Sequence, residues 1–121
     1  VIINITVFIT AFLILFSKFL DCYTTAKRIN TVEQEMNPIA RWLMMRAGIH
    51  NAIWTVFFLA TGLTSYTLFD IFCGYNERWY KLVFILLGHI ISTVQFAVAH
   101  HNYYQRRNLI TEILHRLYKM K

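Results

Sequence analysis

Apolar residues fall in three long runs, at about residues 2–24, 49–73 and 79–103, with shorter polar stretches between them. Each run is about 23–25 residues, enough for a helix to cross roughly 30 Å of hydrocarbon with some tilt. The polar stretch between the last two runs, "CGYNERWY", is short, so those two helices are expected to be antiparallel neighbours. Between the first two runs, "NPIARWLMMRAG" has the marks of a shorter helix over about 38–47. Asn37 suits the cap, Pro38 the first turn and Gly48 the exit. At about three turns it is too short to span. Ile39, Trp42, Leu43 and Met44 beside Arg41 and Arg46 suit a helix lying in the membrane interface, with a re-entrant segment as the alternative. After Tyr104, Leu109, Ile110, Ile113, Leu114 and Leu117 recur at helical spacing. No Gly or Pro occurs from Ile90 to Lys121, so the third span is expected to run on as a basic amphipathic helix over 106–121.

These elements define an all-α integral membrane bundle of one domain. It has three transmembrane helices, a short interfacial helix after the first span and an amphipathic C-terminal helix. Composition agrees: 57% of the 121 residues are hydrophobic and 15% charged, against about 25% charged in soluble domains. The single Pro and four Gly leave little punctuation for a sheet-rich fold.

The net charge of +6 would suit nucleic acid, but the basic residues stand beside helix ends, where they set membrane orientation instead. With three spans, one side holds Lys27, Arg28, Arg41, Arg46, Arg106, Arg107, Arg116, Lys119 and Lys121, and the other Arg78 and Lys81. The expectation is a bacterial or archaeal cytoplasmic membrane, with the N-terminus outside and the C-terminus cytoplasmic. The chain starts on Val1, which implies a preceding segment or a processed terminus. Val1–Phe16 lacks the basic region and cleavage site of a signal peptide. Cys22 and Cys73 fall at opposite membrane faces, too far apart for a disulfide, and read as free thiols.

The polar residues inside the apolar runs carry the candidate chemistry. Lys18, Asp21, Thr25 and Arg28 share one helical stripe, so Lys18 can pair Asp21. His50 and Asn51 start the second span at the same depth at which His100, His101 and Asn102 end the third. Asp21, His50, His100 and His101 therefore form a candidate metal set, and facing histidines could ligate haem b. Glu33, Glu35 and Asn37 could fold over the same place. The bland reading has a paired charge at a helix end and histidines as interfacial anchors, with no cofactor. His89 and Gln95 lie deeper, and His89 is expected to hydrogen-bond across helices. A proton path from Asp70 through His89 to Asp21 has too few stations. Ala60, Thr61, Gly62, Thr64 and Ser65 read as a close helix–helix contact.

The opening connection also carries a pattern: Asp21, Thr24 and Thr25, then Glu35, Asn37 and Pro38. It resembles a family of small bacterial and archaeal integral membrane proteins of unknown function with a D-x-x-T-T … E-x-N-P signature between the first helix and the next. The resemblance covers chiefly residues 13–45. It implies a compact bundle of a few helices and no established reaction, and it does not extend to the C-terminal tail. Physically, Thr24 and Thr25 can hydrogen-bond carbonyls of the preceding turn. Glu33 and Glu35 precede the positive end of the helix at Pro38. Asp21 can then latch the first span to that helix.

No nucleophile triad, phosphate-binding Gly-rich loop or HExxH motif supports an enzyme. The short connections suggest little room for an internal cavity. The leading expectation is a non-catalytic accessory or structural subunit of a larger membrane complex, or a homo-oligomer. Its partners would be membrane lipids and other membrane subunits or itself, without nucleic acid. Arg106, Arg107, Arg116 and Lys119 would dock the tail on lipid or a partner. The alternatives are the metal or haem protein and a small ion-conducting oligomer lined by the Lys18–Asp21–Thr25 stripe and His89.

Overall fold

A computed structural model describes residues 2–35, 37–74, 77–104 and 109–119, with side chains described as far as Leu117. Helix α1 spans Ile2–Arg28, α2 Pro38–Ala47, α3 Ile49–Phe69, α4 Arg78–Tyr104 and α5 Leu109–Lys119. A short 3-10 turn, Val32–Gln34, precedes α2, and a wide π-type turn, Asp70–Gly74, ends α3. Three of these stretches, Ile2–Arg28, Ile49–Gly74 and Arg78–Tyr104, are long and apolar enough to cross a membrane. The chain is thus an all-α membrane protein, as the periodicity predicts.

Local chemistry explains the boundaries. Asn37 Oδ1 accepts from the Ile39 amide at 3.0 Å and Pro38 opens α2, so the expected cap is present. At Gly48 the backbone takes φ 91°, a region that penalises any side chain. The Gly48 amide closes α2 on the Met44 carbonyl, and its own carbonyl accepts from Ala52 in the first turn of α3. One residue therefore makes the corner that folds α2 against α3.

Helix α1 packs against both α4 and α3, while α3 and α4 scarcely meet. The α1–α4 seam is built from small and polar residues, which let the helices approach closely. A Cβ on Gly88 would collide with Thr10 Cγ2 and lie 3.0 Å from Ile14 Cδ1. Thr10, Ser17, Ser92 and Asn102 are all buried along this line. The α1–α3 contact is apolar instead. Phe19 meets Trp54 and Phe57, and Cys22, Ile29, Met44, Ala52 and Ile53 form a cluster that ties α1, α2 and α3 together. Phe8, Phe12, Phe58, Leu63, Leu86 and Ile90 point outward, an arrangement suited to lipid rather than water.

Three expectations need correction. The tight contact lies at Gly88 rather than along the Ala60–Ser65 face, of which Thr64 alone is buried. Gly62 and Ser65 are exposed, and a Cβ at Gly62 would meet nothing within 4 Å. The latch between α1 and α2 is the apolar cluster around Ile29 and Met44, not Asp21. Helix α5 does not run on in line with α4. Thr111, Leu114 and His115 lie around the same cavity as Asp21 and Gln95, so α5 folds back over the end of the bundle. Residues 105–108, between α4 and α5, lie outside the described residues.

Candidate functional site

Because α3 and α4 flank α1 without closing on each other, a wedge remains between them over the C-terminal half of α1. It holds a cavity of about 440 Å³. The Lys18, Asp21, Thr25 and Arg28 face of α1 forms its floor. Ile53 and Val56 of α3 and Val94 and Val98 of α4 form its walls. Leu43 and Met44 of α2 and Leu114 and His115 of α5 close its end. This corrects the expectation of little internal space. Tight connections constrain the helix ends, but they do not bring α3 and α4 together.

The floor is a connected polar network. Lys18 Nζ pairs with Asp21 Oδ2 at 3.2 Å, and Thr25 donates to Asp21 Oδ1 at 3.4 Å. Asn102 of α4 donates to Thr25 at 3.0 Å and Thr24 at 3.3 Å, while its Oδ1 accepts from Arg28 Nε at 2.9 Å. One turn toward the membrane middle, Ser17 donates to Gln95 Oε1 at 2.6 Å. Buried polar groups left unpartnered in a low-dielectric interior are costly, and this network answers most of them across one helix pair.

The residues singled out in the signature separate into two groups. Asp21, Thr25, Glu35 and Asn37 all line the cavity. Thr24 donates to the Leu20 carbonyl at 2.7 Å, as expected of a threonine in the last turns of a helix. Thr25 does not bond a backbone carbonyl; its hydroxyl serves Asp21 and Asn102 instead. Pro38 opens α2 and is exposed. Glu35 Oε1 accepts from the Asn37 amide at 3.0 Å, and Arg41 clasps the Glu35 carbonyl with two bonds of 2.9 and 2.7 Å. These bonds fold the connection over the cavity mouth.

The expected metal set is not assembled. Asp21 and His101 line the cavity, but His50 is exposed on the first turn of α3. His100 is exposed and its ring lies 4.8 Å from that of Tyr104. Among the described residues no three His, Cys, Asp or Glu side chains stand together as metal ligands would. The physical reason is helical phase. Equal depth in the membrane places residues in one layer, but successive positions point about 100° apart, so His100 and His101 cannot both face α1. The same reason corrects His89. It follows Gly88 of the seam, faces outward, and bonds the Ile85 carbonyl of its own helix at 2.8 Å. It reaches neither Asp70 nor Asp21, and it does not join the Lys18–Asp21–Thr25 stripe. Of the tail residues, Arg116 is exposed and lies 3.8 Å from Glu112. Arg106 and Arg107, and the Lys119 side chain, fall outside the described residues.

Sequence reasoning missed Ser17, Asn102, Thr111 and His115 as site residues. A signal for two of them was present. Thr10, Ser17 and Thr24 are seven apart, as are Gly88, Gln95 and Asn102, which is the repeat of a packed helix pair. Lys81, one heptad before Gly88, enters the sequence reading only as a cation on the outer side of the membrane. It is buried, donates to Asn4 at 2.7 Å and sits 5.4 Å from the centre of the Phe72 ring. Both cysteines are free thiols, Cys22 buried and Cys73 exposed. Compared with known proteins, the chain matches no family model, no curated protein and no solved structure.

Proposed function

We propose that this is a non-catalytic membrane binding protein whose working part is the cavity between α3 and α4. The observation that carries this reading is convergence. Asp21, Thr25, Glu35 and Asn37, drawn from α1 and the following connection, meet His101 and Asn102 of α4 around one cavity of about 440 Å³. A small-molecule site combines mostly apolar walls with a few convergent polar groups in about 300–1,000 Å³, and this cavity has both. The cavity end faces the cytoplasm under the charge asymmetry of the sequence, in a bacterial or archaeal cytoplasmic membrane.

Native mass spectrometry on protein extracted gently from its own membrane tests the reading. The expected result is a retained non-protein mass that disappears in Val98→Trp, where the indole fills the wedge. An unliganded wild-type chain, or a ligand indifferent to Val98→Trp, would overturn it.

A second reading, an accessory subunit of a larger complex or homo-oligomer, is favoured by the outer face of α3. Phe58, Gly62, Leu63 and Tyr66 are exposed there, and the backbone at Gly62 is open to close approach. The same spectrum reads it directly, as additional polypeptide mass or an integer multiple of the chain. The two roles are compatible, since the cavity and this face lie on different parts of the molecule.

A further inference from the structure

We propose that the cavity takes an acidic amphiphile, a molecule with a phosphate or carboxylate group on an apolar chain. This rests on the reading of the cavity as a ligand site and names the chemistry of its occupant.

The charges around the cavity do not cancel alike. Lys18 and Asp21 neutralise each other at 3.2 Å. Glu35 is engaged within its own connection: its carboxylate accepts from the Asn37 amide at 3.0 Å and its backbone carbonyl from Arg41. Among the described residues Arg28 has no carboxylate partner. Its Nε donates to the neutral Asn102 amide oxygen, and among the described residues its other guanidinium nitrogens make no hydrogen bond or ion pair. Asn102 is itself buried and held by Thr24 and Thr25, so it anchors one edge of the guanidinium in place. A planar guanidinium with unused donors, fixed on the cavity wall, matches a carboxylate or phosphate in two-point geometry.

The rest of the cavity calls for an apolar chain on that acid. Val56, Val94 and Val98 are half-buried along the gap between α3 and α4. Because those helices scarcely meet, a chain entering from the bilayer separates no packed interface. Depth agrees as well. Arg28 ends α1, seven residues beyond Asp21, or about 10 Å along the axis. That places it at headgroup level, with the apolar walls on the hydrocarbon side.

The test uses the full chain in detergent micelles, with dioleoyl phosphatidylglycerol, dioleoyl phosphatidylcholine, oleate and inorganic phosphate as probes, read by native mass spectrometry. Expected is retention of phosphatidylglycerol or oleate at least tenfold above phosphatidylcholine, with no displacement by millimolar inorganic phosphate. Preference for phosphatidylglycerol identifies a bilayer lipid, and preference for oleate a fatty acid. Arg28→Gln should remove the preference and Arg28→Lys should keep part of it, while thermal unfolding reports whether each variant is folded. Equal retention of phosphatidylcholine, unchanged preference in a folded Arg28→Gln, or efficient competition by inorganic phosphate overturns the assignment. The two readings fail separately. A neutral ligand lost in Val98→Trp leaves the cavity as a site and removes only its acidic occupant. A wild-type chain in which no bound mass responds to Val98→Trp removes both.

Discussion

Ser17 of α1 donates to Gln95 of α4 at 2.6 Å, and the same offset recurs along the pair. Thr10 faces Gly88, and Thr24 accepts from Asn102, each 78 positions apart. Lys81 donates to Asn4 at an offset of 77. A constant offset means that the two helices run parallel and in register for most of their length. The first and third spans therefore form the rigid spine of the bundle, and α3 leans on it from the other side of α1.

The spine depends on the missing side chain at Gly88. Gly88→Val should force α1 and α4 apart and cost about 1–3 kcal/mol, the usual range for overpacking. Gly62→Val serves as the control, because nothing stands within 4 Å of a Cβ there. Unfolding in detergent by graded SDS measures both. Equal effects of the two substitutions would contradict the assigned seam.

Ser17 and Gln95 should be energetically coupled. A double-mutant cycle with Ser17→Ala and Gln95→Leu should give a coupling of about 0.6 kcal/mol, and no more than about 1.7, as for other hydrogen bonds between membrane helices. Strict additivity would mean that the bond adds nothing over its alternatives in the unfolded chain.

Asp21 and Lys18 test the floor of the cavity. Asp21→Leu leaves a lysine within the bundle without its carboxylate and should destabilise by about 1–3 kcal/mol, within the cost of a charge near hydrocarbon. Adding Lys18→Met should recover most of that loss, because both charges are then gone. Thermal unfolding in one detergent compares the three variants. A double variant no better than Asp21→Leu would place the role of Asp21 in its bond to Thr25 rather than in the ion pair.

Gly48 should not tolerate a side chain. Its φ of 91° makes Gly48→Ala unfavourable by about 1 kcal/mol or more, despite open space around the position. The expected readout is faster hydrogen exchange in α2 with α1 and α4 unchanged. Uniform protection throughout would show that the corner is not strained.

The two thiols read out topology. A membrane-impermeant maleimide should label Cys73 in intact cells and leave Cys22 unmodified until the protein is unfolded, since Cys22 is buried and Cys73 exposed. Labelling of Cys73 only after the cells are opened would reverse the orientation.

The amino-acid sequence by itself determined the elements, because their causes are local. Apolar run length set the three long helices, and Asn37, Pro38 and Gly48 bounded α2 through capping and φ. It also placed Lys18, Asp21, Thr25 and Arg28 on one face, since that needs only the helical repeat. Only the tertiary structure decided which faces meet. The choice of Gly88 over Gly62 as the point of contact depends on what stands opposite each, and Thr10 and Ile14 come from another helix. Whether histidines of equal depth converge depends on rotation about the helix axis, and His50 and His100 turn away. The cavity had no local signal at all. It exists because α1 holds both neighbours while α3 and α4 do not close on each other, and because α5 folds back over the gap.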